Sequence, residues 1–242
     1  MSEMRRRWPG PRLLPTVLVV AQLWQSWLSV LRVGLPTAAS NLAVPLSIGV
    51  VTAILARHGE HAVAAFGAGT RVELLAMIPS MALGAGLAPF VGQNWGAGRK
   101  DRVMQGVRTA LLWSVSLGVL SLLLLGSTSS LIARAFSDEP EVVSLLAVFL
   151  VLAPVGHALY GVFLCTNATF NAAGLPARAA MLALLRAPVL AVSLAWAGGV
   201  LAGPVGVFAG HAGANFLAGA AAATWIWLTL REHRPDPDAA RR

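Results

Sequence analysis

One carboxylate, Glu73, stands well inside a long apolar run. The run extends from Ala62 to Phe90 and reads AVAAFGAGTRVELLAMIPSMALGAGLAPF. Glu73 is about eleven residues from its start, so helical rise would place it about 16 Å deep. A charge inside lipid is costly, and such residues face a bundle interior or a polar cavity. Two roles fit. Glu73 is a proton- or cation-responsive carboxylate, or it is a structural partner of Arg71, Arg57 or Thr70 that ties two helices together. Arg71 and Glu73 are two positions apart and do not share a helical face. Arg71 therefore reads as gate-forming or structural, because a fixed positive charge repels cationic cargo.

Other polar side chains also interrupt apolar runs. Asn41, Tyr160, Thr166, Asn167, Asn171, His211 and Asn215 can line a cavity or join helices by hydrogen bonds. His211 and Asn215 are four apart and share one helical face. His157 and Tyr160, three apart, could support a proton-sensitive network. No metal site is expected, since His58 and His61 have no cysteine or clustered carboxylates beside them. No nucleophile with an adjacent base, no phosphate-binding loop and no hydrolytic carboxylate pair is present, which argues against an enzyme. The glycines of GAGTR and GAGLA lie inside apolar helical runs rather than after a strand, so a dinucleotide site fails in context.

The elements that must hold these residues are membrane helices. The chain has 242 residues, 57% hydrophobic and 12% charged, where a soluble domain carries about 25% charge. Mean hydropathy is +0.71. A spanning helix needs about 20 apolar residues, and six spans fit: Gly34–Ala56, Ala62–Phe90, Val107–Leu125, Val142–Phe163 continuing to Asn171, Ala177–Gly198 and Val205–Leu230. The expected fold is all-α, a polytopic six-helix transmembrane bundle. Pro36 suits a helix start and Pro45 should kink the first span. Ser137 or Asp138 could cap the fourth. The lone cysteine, Cys165, is a packing residue and excludes an internal disulfide.

Three parts follow: residues 1–31, a basic tail with an apolar segment; 32–230, the six-helix lobe; 231–242, a polar tail. Leu13–Leu31 either spans or lies at the interface as an amphipathic helix. With both termini cytoplasmic, 15 of the 18 Lys and Arg residues fall in or beside cytoplasmic segments, Arg186 among them, as the positive-inside rule requires. The net charge of +8 is thus topological, and a nucleic-acid partner is not expected.

Four stretches carry a family resemblance: RVGLPTAASN at 32–41, AAFGAGTRVE at 64–73, PSMALGAGLAPFVGQNWGAGRKDR at 79–102 and TFNAAGLPARAA at 169–180. They resemble the multidrug and toxic compound extrusion (MATE) family, and the chain looks like its C-terminal six-helix lobe alone. The resemblance implies a cell inner-membrane efflux protein. Hydrophobic cationic small molecules would be exchanged for Na⁺ or H⁺, with no other cofactor, in a cavity shared with a second six-helix lobe or supplied by a homodimer. Members with a cation site in this lobe often carry an acidic residue in its first and fourth helices. Here the first span has no Asp or Glu, and the fourth has none after Glu141. If this lobe takes part in coupling, Glu73, assisted by Asn41 or Tyr160, is the remaining candidate; the alternative is a coupling site in the first lobe. Asn167, Asn171, His211 and Asn215 are the cavity candidates, and Arg71, Gln93 and Asn94 are gate or structural residues. The alternative is a non-transporting membrane partner or an inactive truncated remnant.

Overall fold

The computed structural model describes residues 16–232. The Asn41 side chain, the arginines of the N-terminal tail and residues 233–242 lie outside the described residues. The backbone divides at Ala39/Ser40 into two compact units. In the first, helical backbone begins at Thr16, and Trp24 and Trp27 are exposed. That helix, α1 (Thr16–Ala56), starts well before the expected Gly34. Nothing polar enough to stop helix propagation separates the two apolar runs, and Pro36 does not end it.

The second unit holds the remainder of the bundle. It contains α2 (Glu60–Gly96), α3 (Lys100–Phe136) and α4 (Pro140–Ala172). A further helical stretch, Pro176–Thr229, is long enough to cross twice. Its backbone leaves helical geometry at Ala202 (φ −144°, ψ 22°) and Gly203 (φ 59°, ψ −144°). Positive φ costs glycine little and other residues much, so the chain turns back here. The arms are α5, residues 176–201, and α6, residues 204–232. Gly198 lies against Gly206, and Gly210 against Leu194, as two antiparallel arms require.

Links alternate between the two ends. Arg57–Gly59, Ser137–Glu139 and Ala202–Gly203 share one end: His58 borders Gly199 and Gly203, and His61 Nε2 lies 3.8 Å from Glu141 Oε2. Ser137 does not cap α4. Its hydroxyl accepts the Glu139 N–H at 3.1 Å, and Glu139 takes the cap position ahead of Pro140. Arg99, Lys100 and Arg102 mark the other end. Arg178 is there too, donating from Nη1 to Thr229 Oγ1 at 2.8 Å.

The helix α4 is the most buried of the long spans. It touches α2, α3, α5 and α6. Small residues let it do so. Gly118 of α3 meets the Ala158 backbone, Gly156 faces the Ala212 carbonyl of α6, and Gly219 faces Leu159. Without an apolar driving force between helices in lipid, such close approach is what holds them. Buried apolar side chains form two clusters. One contains Leu55, Phe66, Leu146, Phe149 and Phe208. The other contains Leu87, Val107, Phe163, Leu182 and Ile226. Large apolar side chains such as Leu112, Leu123, Leu131 and Leu201 are exposed on the outside. The protein is a multi-pass membrane bundle of six helices among the described residues.

Gly118→Val is expected to lower the thermal midpoint in detergent, costing about 1–3 kcal/mol through overpacking against Ala158. Gly49→Ala, with nothing within 4 Å of an added methyl, should leave the midpoint unchanged. Equal midpoints for both variants would overturn this account of α4 packing.

Candidate functional site: a carboxylate held by two histidines

Along α2, α4 and α6, the polar residues fall between the two apolar clusters. Glu73 follows Val72 of the first and precedes Leu87 of the second. His157 and His211 are similarly interposed on their own helices. The result is a buried polar layer near the middle of the bundle.

Glu73 is its centre. His211 Nε2 lies 2.9 Å from Glu73 Oε2 and 3.2 Å from Oε1. Asn215 Nδ2 donates to Oε1 at 3.3 Å. The expected shared face of His211 and Asn215 therefore delivers both residues to one carboxylate. His157 Nε2 approaches Oε1 at 3.5 Å, an ion-pair contact that falls short of a hydrogen bond. Its other nitrogen, Nδ1, bonds the Ser121 hydroxyl of α3 at 2.8 Å. If Ser121 donates to Nδ1, His157 carries its proton on Nε2, aimed at Glu73. The 3₁₀ turn Ala153–Gly156, with Pro154 inside, sets the register at which His157 enters.

An aromatic wall limits water on one side. Phe66 stands edge-on to the His211 ring at 5.8 Å, and Phe149 lies 6.0 Å from it. Phe149 in turn packs edge-to-face on Phe66 and Phe208. Buried except where it borders a cavity, the carboxylate depends on these N–H donors.

A cavity of about 300 Å³ opens beside the layer. Glu73, His211, Thr70 and Ser47 give it polar edges; Ile48, Val51, Phe66, Leu74, Met77 and Met81 make most of its wall. Tyr160 and Arg186 complete it. The Arg186 guanidinium lies 4.2 Å over the Tyr160 ring, and its Nε donates to Asn215 Oδ1 at 3.0 Å. Arg186 was counted above with the cytoplasmic charges. Its place on the cavity wall corrects that count. Arg186 lies about ten residues into α5, hence about 15 Å from the helix start, in a π-helical segment, Leu185–Ala191, around Pro188.

The remaining expected site residues stand elsewhere. Asn167 Nδ2 donates to the Ala179 carbonyl at 2.9 Å, tying α4 to α5. Asn171 Nδ2 bonds Asn167 Oδ1 at 3.0 Å. Both sit near the α4–α5 link, away from the cavity lining. Gln93 is exposed at the end of α2, where Asn94 Nδ2 donates to the Phe90 carbonyl at 2.8 Å. Arg71 is exposed and is not the partner of Glu73; nor are Arg57 and Thr70, whose hydroxyl bonds the Gly67 carbonyl. Sequence reading missed Ser121 and Arg186 as parts of the site, and it joined His157 to Tyr160 rather than to Glu73. Its available signal was a lone histidine in an apolar span. Among the described residues no group of three His, Cys, Asp or Glu is arranged to hold a metal.

A membrane bundle with an ionisable cluster and a cavity at mid-depth has the architecture of one half of a secondary transporter. A model of the MatE family matches residues 36–197. The chain belongs to that family, the multidrug and toxic compound extrusion family. It is 32% identical over 196 residues to the FAD transporter of Shewanella oneidensis, covering 81% of this chain and 43% of the relative. It is 28% identical over 159 residues to a probable multidrug resistance protein NorM of Thermotoga maritima, covering 64% of this chain and 32% of that one. The Vibrio cholerae MATE transporter VcmN in its bent form superposes with a TM-score of 0.81 at 29% identity, over 86% of this chain and 48% of VcmN. The chain thus spans less than half the length of each of these proteins. The expected six-helix-lobe fold agrees with this half-length match.

Replacing Glu73 tests the cluster as structure. Glu73→Leu removes the acceptor for the buried donors of His211 and Asn215 and should cost about 2 kcal/mol or more in detergent. Glu73→Gln keeps an acceptor and should cost less, about 1 kcal/mol. A Glu73→Leu protein as stable as the unmodified one would show that the carboxylate does not organise these helices.

Proposed function

We propose that the chain is one lobe of a multidrug efflux transporter that works by cation- or proton-coupled antiport. The observation that carries this is the Glu73–His211–His157 cluster opening on a cavity within a lobe of this family. The donor set favours a proton as the coupling ion. Hard cations take several oxygen ligands, whereas the Glu73 oxygens face nitrogens of His211, Asn215 and His157. Protonating the cluster changes its net charge by one, alters these contacts and shifts the balance between inward-open and outward-open states. The titratable groups facing one another are Glu73 of α2, His157 of α4 and His211 of α6, and Arg186 of α5 joins them only through Asn215.

The apolar cavity wall suits hydrophobic small molecules. Cationic cargo, expected from the sequence, would have to share that wall with Arg186. The relative named an FAD transporter supports a cargo range wider than cations. A second lobe, from another chain or a second copy, closes the passage. The basic end of the bundle, with Arg99, Lys100, Arg102 and Arg178, faces the cytoplasm of an inner membrane, and both termini lie on that side. The half-length match also favours a second reading, a membrane partner without transport of its own.

Dye efflux from proteoliposomes under an imposed proton gradient, with and without a candidate first lobe, separates the two. Gradient-dependent efflux is expected with both lobes, and its absence in both arrangements would remove the transport reading. In the active assembly Glu73→Gln should abolish the response of efflux to pH while the protein stays folded; an unaltered pH profile would confine Glu73 to packing. Orientation has its own check. Cys165, the sole cysteine, is buried, so Lys100→Cys should be labelled by an impermeant maleimide only from the cytoplasmic face. Labelling from outside would reverse the topology.

A further inference from the structure

We propose that Arg186, backed by Tyr160 and Asn215, is an anion subsite, and that the cavity takes a flat aromatic molecule by its carboxylate, sulfonate or phosphate group. This rests on the reading of the cavity as a cargo wall. Arg186 lies about ten residues into α5, hence about 15 Å from its start, where an arginine is expensive and needs partners. Its Nε–H goes to Asn215 Oδ1, and its flat face covers Tyr160. Among the described residues these are its polar and ring partners, apart from a longer approach to the Phe163 ring at 5.8 Å. The N–H groups on its two Nη atoms have no protein acceptor there, and no carboxylate is within ion-pair distance.

The nearby negative charge is committed elsewhere. Both Glu73 oxygens face His211, and Oε1 also takes Asn215. Asn215 stands between carboxylate and guanidinium: its amide donates to one, and its carbonyl accepts from the other. The two charges are therefore linked without a direct pair. Two oxygens of an incoming anion would match the Nη fork, the geometry in which guanidinium binds most selectively. The cavity that Arg186 lines is otherwise largely apolar, with Phe66, Met77, Met81 and Leu74 in its wall. Methionine sulfur and ring edges favour an aromatic body.

Three probes with one naphthalene body test this on the whole chain in detergent: 2-naphthalenesulfonate, neutral 2-naphthamide and (2-naphthyl)trimethylammonium. The sulfonate should bind about tenfold or more tighter than the ammonium, the scale of a charge-assisted hydrogen bond. Arg186→Gln should weaken the sulfonate about tenfold and leave the amide unchanged; Arg186→Lys should restore part of the difference. A tighter ammonium, or an Arg186→Gln loss shared equally by sulfonate and amide in a folded protein, would overturn the subsite. Should Arg186→Gln fail to fold, the unmodified protein decides, because a sulfonate no tighter than the amide overturns it equally. Failure of all three probes to bind saturably would remove the cargo wall as well. These measurements need neither gradient nor second lobe, so an absence of dye efflux would count against transport while leaving a sulfonate preference intact.

Discussion

A carboxylate inside an apolar bundle cannot be left to lipid, and the arrangement of this protein follows from how Glu73 is supplied with donors. Its 2.9 Å contact with His211 joins α2 to α6. His157 brings in α4 and, through Ser121, α3. Asn215 extends the network to Arg186 on α5. Five helices thus converge on one polar layer, with an apolar cluster on either side. The layer is expensive unless each member finds a partner, so the helices have few ways to pack. Gly118, Gly156 and Gly219 contribute the complementary requirement, because α4 reaches the centre only where it or its neighbour lacks a side chain at the contact.

Much of this architecture was legible in the chain. Apolar runs of spanning length, broken by glycine and polar links, gave the helices; the last turn, expected between Gly198 and Val205, is confined to Ala202–Gly203. Glu73 announced itself as the one carboxylate well inside an apolar run. His211 and Asn215 could be placed on one face because a spacing of four fixes that within a helix. The partner of Glu73 could not be read, since it lies 138 positions away and local candidates such as Arg71 point elsewhere. A spacing of three suggested that His157 and Tyr160 would act together. In the folded bundle they diverge, one meeting Glu73 and Ser121, the other Arg186. Arg186 was misread for a related reason. Charge counting assigns a residue by its place along the chain and is blind to a cavity wall built from other helices.

On the proposed antiport reading, the charge of the cargo and the energetics of export are one question. Across an inside-negative membrane, each unit charge is worth about 2.3 kcal/mol per 100 mV. A cation leaving the cell climbs that potential and needs an entering ion to drive it. An anion leaving the cell descends it, and a proton entering in exchange descends it too. Local attraction works in the opposite sense, because a proton on the Glu73 cluster adds positive charge one side chain away from Arg186 and would draw an anion in. By linkage, each would then raise the affinity for the other. Exchange of proton for anion therefore needs a contact that lets one arrival undo the other's site. Asn215 is the side chain that touches both: its amide holds Glu73 Oε1 and its carbonyl holds Arg186 Nε. It cannot turn to favour one without loosening its grip on the other.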